Sequence, residues 1–218
     1  EVRRRAPRAL VLTGEGRFFC AGADIREMAA MDGRELYDWA LLGSRLNTNL
    51  EELPMPVLAA VNGMALGGGN ELAMSCDIRI CSENAVFGQP EVGLGITPGF
   101  GGTQRLARLV GPGMAKQMVY TARNIKADEA YRIGLVNAVY PLSDLYAAAE
   151  KLAGQIAGNA PIAVRAAKKA INEGLDLPMD EAVVVEEKAF GSCFETADQQ
   201  EGMGAFLEKR KHEPFINK

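Results

Sequence analysis

A chain of 218 residues with 48% hydrophobic and 24% charged side chains can bury roughly 70% of its unfolded surface, so it needs neither disulfide nor metal staples to fold. Lys plus Arg total 24 against 28 Asp plus Glu, a formal charge of -4, which offers no overall basic field to draw in nucleic acid. Cys20, Cys76, Cys81 and Cys193 form no CxxC pair and His212 is the one histidine, so a zinc site is not expected and a Ser-His or Cys-His nucleophile has almost no base to draw on.

In chain order, the opening Glu-Val-Arg-Arg-Arg leads into a strand-like stretch rather than a signal sequence, and no apolar run reaches the length of a membrane span. No membrane partner is expected, and a reducing, cytoplasmic setting fits. Residues 9–13 predict the first strand. Phe18-Phe19-Cys20-Ala21-Gly22-Ala23-Asp24-Ile25 then ends a strand region in small residues that let a ligand lie against main chain, with an open N–H near Ala23. Asp32 with Glu35 has the pattern of a capping box. Leu36, Trp39, Leu42, Leu46, Leu50 and Leu53 recur every three or four positions until Pro54 and Pro56 stop the helix.

Residues 57–61, 77–81 and 135–140 predict further strands, and their alternation with helix-like stretches predicts an α/β core. After about residue 158 the strand signals vanish. Asn159 and Pro161 open a helix that ends at Gly174; Met179, Val183, Phe190 and Phe194 mark a second; Thr196 with Gln199 caps a third. The expected organisation is a core over residues 1–158 that holds the active site and a helical region over 159–218. The spare apolar faces of that region call for a neighbour, either the core or another subunit. No internal repeat of fixed period is evident.

The densest chemical signal runs from Val61 to Gly102. Gly67, Gly68 and Gly69 separate a strand from a helix expected to start near Asn70, leaving backbone N–H groups open where no Cβ blocks approach. Such groups stabilise negative charge, but the run matches neither a P-loop nor a GxGxxG fingerprint. Glu71 falls in the first turn of that helix, and Glu91 follows Gln89-Pro90 before a glycine-broken loop. Taken singly, a glycine turn serves packing and a glutamate is a solvated or capping residue. Together with the open N–H groups, the two acids resemble a general acid and base pair. Cys20 and Cys76 read as core fillers, while Met28 and Met64 stand beside the motif segments and are candidates for lining an acyl pocket.

Ala21-Gly22-Ala23-Asp24-Ile25, Ala65-Leu66-Gly67-Gly68-Gly69-Asn70-Glu71-Leu72-Ala73, and Phe87-Gly88-Gln89-Pro90-Glu91 through Pro98-Gly99-Phe100-Gly101-Gly102-Thr103-Gln104-Arg105 together resemble the crotonase, or enoyl-CoA hydratase/isomerase, family. The likeness runs over essentially the whole chain and is strongest to bacterial short-chain hydratases. It implies the ClpP/crotonase spiral of ββα units followed by C-terminal oligomerisation helices. It implies an oxyanion hole from the N–H groups of Ala23 and Gly68, and catalytic roles for Glu71 and Glu91, which hold one water between them. Gly99, expected at the start of a helix after Pro98, matches a position that helps hold that water.

The resemblance further implies that Ala21, Asp24 and Ile25 lie around the CoA adenine, and that Phe206 and Lys209 lie near the CoA of a bound subunit. CoA enters as the thioester of the substrate, with no tightly bound cofactor, and trimers or hexamers are the implied assembly. Family members begin with further strands and a CoA-contacting segment before the strand matched by residues 8–13, so those are expected to be missing from this sequence. Hydration of a short trans-2-enoyl-CoA is the implied reaction. A Δ3,Δ2-enoyl-CoA isomerase, which can work with the acid matching Glu91 alone, is the nearest alternative enzyme. An RNA-binding or scaffolding member of the fold, supported by Lys168-Lys169 and the run from Lys209 to Lys211, is the alternative from another class.

Overall fold

The computed structural model describes residues 2–218. The chain begins with α1 (Val2–Arg5), β1 (Leu10–Thr13), β2 (Phe18–Cys20), α2 (Ile25–Ala29) and α3 (Gly33–Glu51). It continues through β3 (Val57–Val61), β4 (Met64–Leu66), α4 (Gly68–Met74), β5 (Ile78–Ser82) and β6 (Val86–Gly88). A single 3-10 turn (Glu91–Leu94) precedes α5 (Gly102–Val110), α6 (Pro112–Thr121), β7 (Asn124–Lys126), α7 (Ala127–Arg132) and β8 (Ala138–Tyr140). Four helices follow: α8 (Leu142–Ala157), α9 (Pro161–Gly174), α10 (Met179–Cys193) and α11 (Ala197–Leu207).

Two four-stranded sheets organise the strands, one in the order β1-β3-β5-β8 and the other β2-β4-β6-β7. From β1 to β6 successive strands therefore alternate between sheets, each ββα step adding one strand to each, while β7 stays beside β6 and β8 returns to the first sheet. Because every step runs the same way, β3 pairs with β5, β5 with β8, β2 with β4 and β4 with β6 in parallel, and only β7 turns back antiparallel on β6. All five residues of β3 are buried. The uninterrupted apolar run Val-Leu-Ala-Ala-Val is what a parallel strand covered on both faces requires.

The repeat that no fixed sequence period announced is thus structural. The 19 residues of α3 and the 7 of α4 fill equivalent places in consecutive steps, and that inequality erases the period. The capping box at Asp32 is formed: its carboxylate accepts from the N–H groups of Arg34 and Glu35, and Glu35 accepts from the N–H of Asp32. Several boundaries shift from expectation: the helix expected near Asn70 starts at Gly68, the strand expected from residue 135 starts at Ala138, and those expected at 9–13 and 77–81 span Leu10–Thr13 and Ile78–Ser82.

The fold divides into two compact units, one made of Val11–Glu52 and Val57–Glu150, the other of the described residues up to Leu10 with Leu53–Pro56 and Lys151–Lys218. Within the second unit α9 packs on α10, where Gly174 leaves room for Ala182. Its chain end is tied down by the buried Asp198, whose carboxylate accepts from the N–H groups of Ile216 at 2.7 Å and Asn217 at 2.9 Å. Among the described residues no helix is long and apolar enough to cross a membrane.

Candidate active site

The site is built in the first unit, where the β4–α4 turn meets the segment after β2. Gly67 adopts φ 52 and ψ -123, which glycine tolerates and an L side chain rarely does, and a Cβ there would stand 3.1 Å from Glu91 Oε1. Its own N–H bonds Gly88 O at 2.9 Å, so the chain turns sharply and the N–H of Gly68 is left at the tip. Gly22, at φ 107, lets the neighbouring segment come close: a Cβ on it would lie 3.7 Å from Gly68 N, and one on Gly68 would lie 3.7 Å from Ala23 N. The amides of Ala23 and Gly68 are therefore neighbours, and among the described residues neither donates to a protein acceptor. Two vacant, adjacent N–H groups are a fixed electrostatic partner for a developing oxyanion.

Glu71 is 1% exposed. Its Oε1 accepts from the N–H groups of Phe100 at 2.9 Å and Gly102 at 2.6 Å. Gly102 must be glycine, since a Cβ would sit 2.7 Å from that oxygen. Burial pushes the Glu71 carboxyl above the ordinary carboxylate value, and the Gly102 and Phe100 amides and the Arg105 charge pull part of the way back. Glu91, at the start of the 3-10 turn, has weaker support. The Gln89 side-chain amide donates to Oε1 at 3.1 Å, while Oε2 is buried without a partner. Burial raises this carboxyl to about 7, with the charge of Glu71 adding to the rise and the residue's own backbone N–H opposing it. Two carboxyls with unequal support are the arrangement that separates an acid from a base.

The loop carrying the Phe100 amide is clamped from behind. Phe100 O accepts from Asn47 Nδ2 at 3.1 Å and Arg105 Nη1 at 2.9 Å, and Arg105 makes a two-pronged bond to Glu51 at 2.7 and 2.6 Å. The Phe100 ring packs at 5.1 Å from that of Trp39. Gly101, at φ 95, breaks the chain before α5. This corrects one expectation: Gly99 does not start a helix, because the left-handed Gly101 holds the helix off until Gly102.

One cavity of about 530 Å³ gathers Ala21, Ala23, Ile25, Gly68, Glu71, Glu91 and Gly99, with Met28, Leu36, Trp39 and Leu94 among its apolar walls, a size ordinary for a small-molecule site. Met64, a candidate for lining an acyl pocket, does not line the cavity. The Asp24 carboxylate caps α2 through the N–H groups of Arg26 and Glu27, and Phe206, 81% exposed, and Lys209, expected near the CoA of a bound subunit, belong to the other unit. Sequence reasoning passed over Asn47, Glu51, Gln89, Phe100, Gly102 and Arg105 as functional residues. Gln89 and Arg105 stand inside the quoted motifs, where a polar residue in an otherwise apolar, glycine-rich stretch was the available signal; Phe100 and Gly102 act through main chain, and Asn47 and Glu51, toward the C-terminal end of α3, carried none.

The family model described as enoyl-CoA hydratase/isomerase matches residues 3–215. A short-chain-enoyl-CoA hydratase from Clostridium acetobutylicum is 59% identical over 96% of this chain and 81% of its own length. A crotonyl-CoA hydratase from Syntrophomonas wolfei is 57% identical over 96% and 80%. The crystal structure of an enoyl-CoA hydratase from Bacillus anthracis superposes with a TM-score of 0.93 at 44% identity, covering 97% of this chain and 82% of that one. The expected crotonase fold is therefore the fold observed, and the chain belongs to the enoyl-CoA hydratase/isomerase family.

Proposed function

We propose that the protein is a lyase that reversibly hydrates short-chain trans-2-enoyl-CoA thioesters, crotonyl-CoA among them, to the 3-hydroxyacyl-CoA. The observation that carries this reading is the convergence of a buried glutamate, Glu71, a half-buried one, Glu91, and two adjacent free amides on one cavity. The thioester carbonyl accepts from the N–H groups of Ala23 and Gly68, which stabilise the enolate formed when water adds to C3; losing one such donor costs about 2.7 to 4 kcal/mol of barrier stabilisation. Glu71 takes the proton from the water as its oxygen bonds to C3, and Glu91 delivers a proton to C2. Gly99 helps hold that water. A second carboxyl in the same cavity favours hydration over double-bond isomerisation, which one acid can perform.

The substrate's CoA is held by Ala21, Asp24 and Ile25 around the adenine, with Phe206 and Lys209 contributing from a neighbouring subunit. A homotrimer or homohexamer fits the exposed Ile171, Met179, Phe190 and Phe206 on α9, α10 and α11. We assign catalysis to residues 1–158 and assembly to residues 159–218, a division supported by a cavity lined only by residues up to Phe100. Cys20, Cys76, Cys81 and Cys193 stand as thiols, which supports a cytoplasmic setting.

The test is hydration of crotonyl-CoA followed by loss of the enoyl absorbance. Glu71→Gln is expected to lower kcat about 10²-fold or more, the scale of removing a general base; turnover equal to that of the unmodified enzyme refutes the role.

A further inference from the structure

The Glu91 carboxyl is reached by a chain of two amides that begins outside the cavity. Asn70 Nδ2 donates to Gln89 Oε1 at 2.8 Å, and Gln89 Nε2 donates to Glu91 Oε1 at 3.1 Å. Asn70 and Gln89 are both 0% exposed, so neither amide can borrow a water to satisfy a misplaced end, and Asn70 does not line the cavity. A glutamine amide is nearly symmetric in shape but not in chemistry: its NH2 end favours an ionised carboxylate, and its carbonyl end favours a protonated one.

We propose that Asn70 is a positioning residue that holds the Gln89 amide with its NH2 end toward Glu91 and thereby sets the proton affinity of that carboxyl. With Asn70 donating, turning Gln89 alone would set NH2 against NH2 in a fully buried place. Asn70 Oδ1 is buried without a partner, so Asn70 opposes the turn only while its Nδ2 faces Gln89, and a pair of amides that turns together would leave the Asn70→Leu midpoint unmoved. Without that donor, Gln89 Oε1 has no partner at its outer end, and turning it toward a protonated Glu91 satisfies it. Gln89 is the single side chain that donates to Glu91 among the described residues, and the other Glu91 oxygen is buried and unpartnered. The remaining groups acting on Glu91 are the Glu71 charge from α4 and its own backbone N–H; neither depends on Asn70. A change at Asn70 therefore reaches Glu91 through Gln89.

The experiment is a carbon-13 NMR titration of the glutamate carboxyls in the full chain, with Glu91 assigned by the signal lost in Glu91→Gln. Asn70→Leu is expected to raise the Glu91 midpoint by about one pH unit, a tenfold gain in proton affinity, and to leave it unmoved when Gln89→Leu is already present. Should Asn70→Leu fail to fold, Asn70→Asp keeps the shape, draws the Gln89 NH2 away from Glu91, and raises the midpoint more with Gln89 present than without it. An unmoved midpoint in a folded variant, or an equal displacement with and without Gln89, overturns the proposal. The catalytic consequence rests on the reading of Glu91 as the acid: the alkaline limb of crotonyl-CoA hydration moves up with the midpoint. Absence of any hydration by the unmodified protein would overturn the proposed function while leaving the titration a valid test of Asn70.

Discussion

Glu91 and Glu71 are chemically identical side chains made different by what meets their oxygens. Glu71 Oε1 receives two main-chain N–H groups, which cannot rotate away, whereas Glu91 Oε1 receives one side-chain amide. The difference has a consequence for stability. An acid raised from its ordinary 4.5 to about 7 in the folded state binds its proton more tightly folded than unfolded, so its contribution is fully present below about 4.5 and is lost as pH rises through about 7. We therefore expect the advantage of the parent protein over Glu91→Gln, measured by urea unfolding, to be larger at the acid end of that window than at the alkaline end. Parallel stabilities across the window contradict the raised value. At this scale the sequence showed both acids, because glutamate is rare inside apolar, glycine-rich stretches. It did not show which oxygen meets which donor, since Phe100 and Gly102 act through main chain that carries no side-chain signature.

The element that matters most to the site is irregular: residues 96–101 between the 3-10 turn and α5. Their geometry is held by Asn47 from α3 and by Arg105 from α5, itself anchored on Glu51. Arg105→Met is expected to leave the acid pair in place yet loosen the amide that fixes Glu71. We expect kcat to drop by about 10- to 10²-fold, the scale of a roughly 1 Å misplacement, with KM for crotonyl-CoA changed far less. A loss carried by KM instead would place Arg105 in substrate binding. The capped α3 and the three C-terminal helices were legible because their caps and apolar spacing are local features. The start of α5 was misread because Pro98 signals a helix start, while the left-handed Gly101 that vetoes it looks like any other glycine in the run. β7, with one buried residue of three, has too little apolar pattern to declare itself.

At the scale of the molecule, the alternation of strands between two sheets brings the β2 end, the β4–α4 turn and the β6 end to one cavity, so groups from residues 23, 68, 71 and 91 share a site. This arrangement was implied by resemblance to the crotonases and not by periodicity, since the unequal lengths of α3 and α4 conceal the repeat. Parallel pairing between successive steps is a non-local property, and no local pattern in the chain encodes it. The central claim is that one thioester sits with its carbonyl on two amides and its C2 and C3 before two carboxyls. A crystal structure with bound butyryl-CoA, a saturated analogue that cannot take up water, tests it most directly. The thioester oxygen is expected within hydrogen-bonding distance of both Ala23 N and Gly68 N, with C2 and C3 facing Glu91 and Glu71. A thioester bound away from those amides, or an acyl chain that passes only one of the two glutamates, would contradict it.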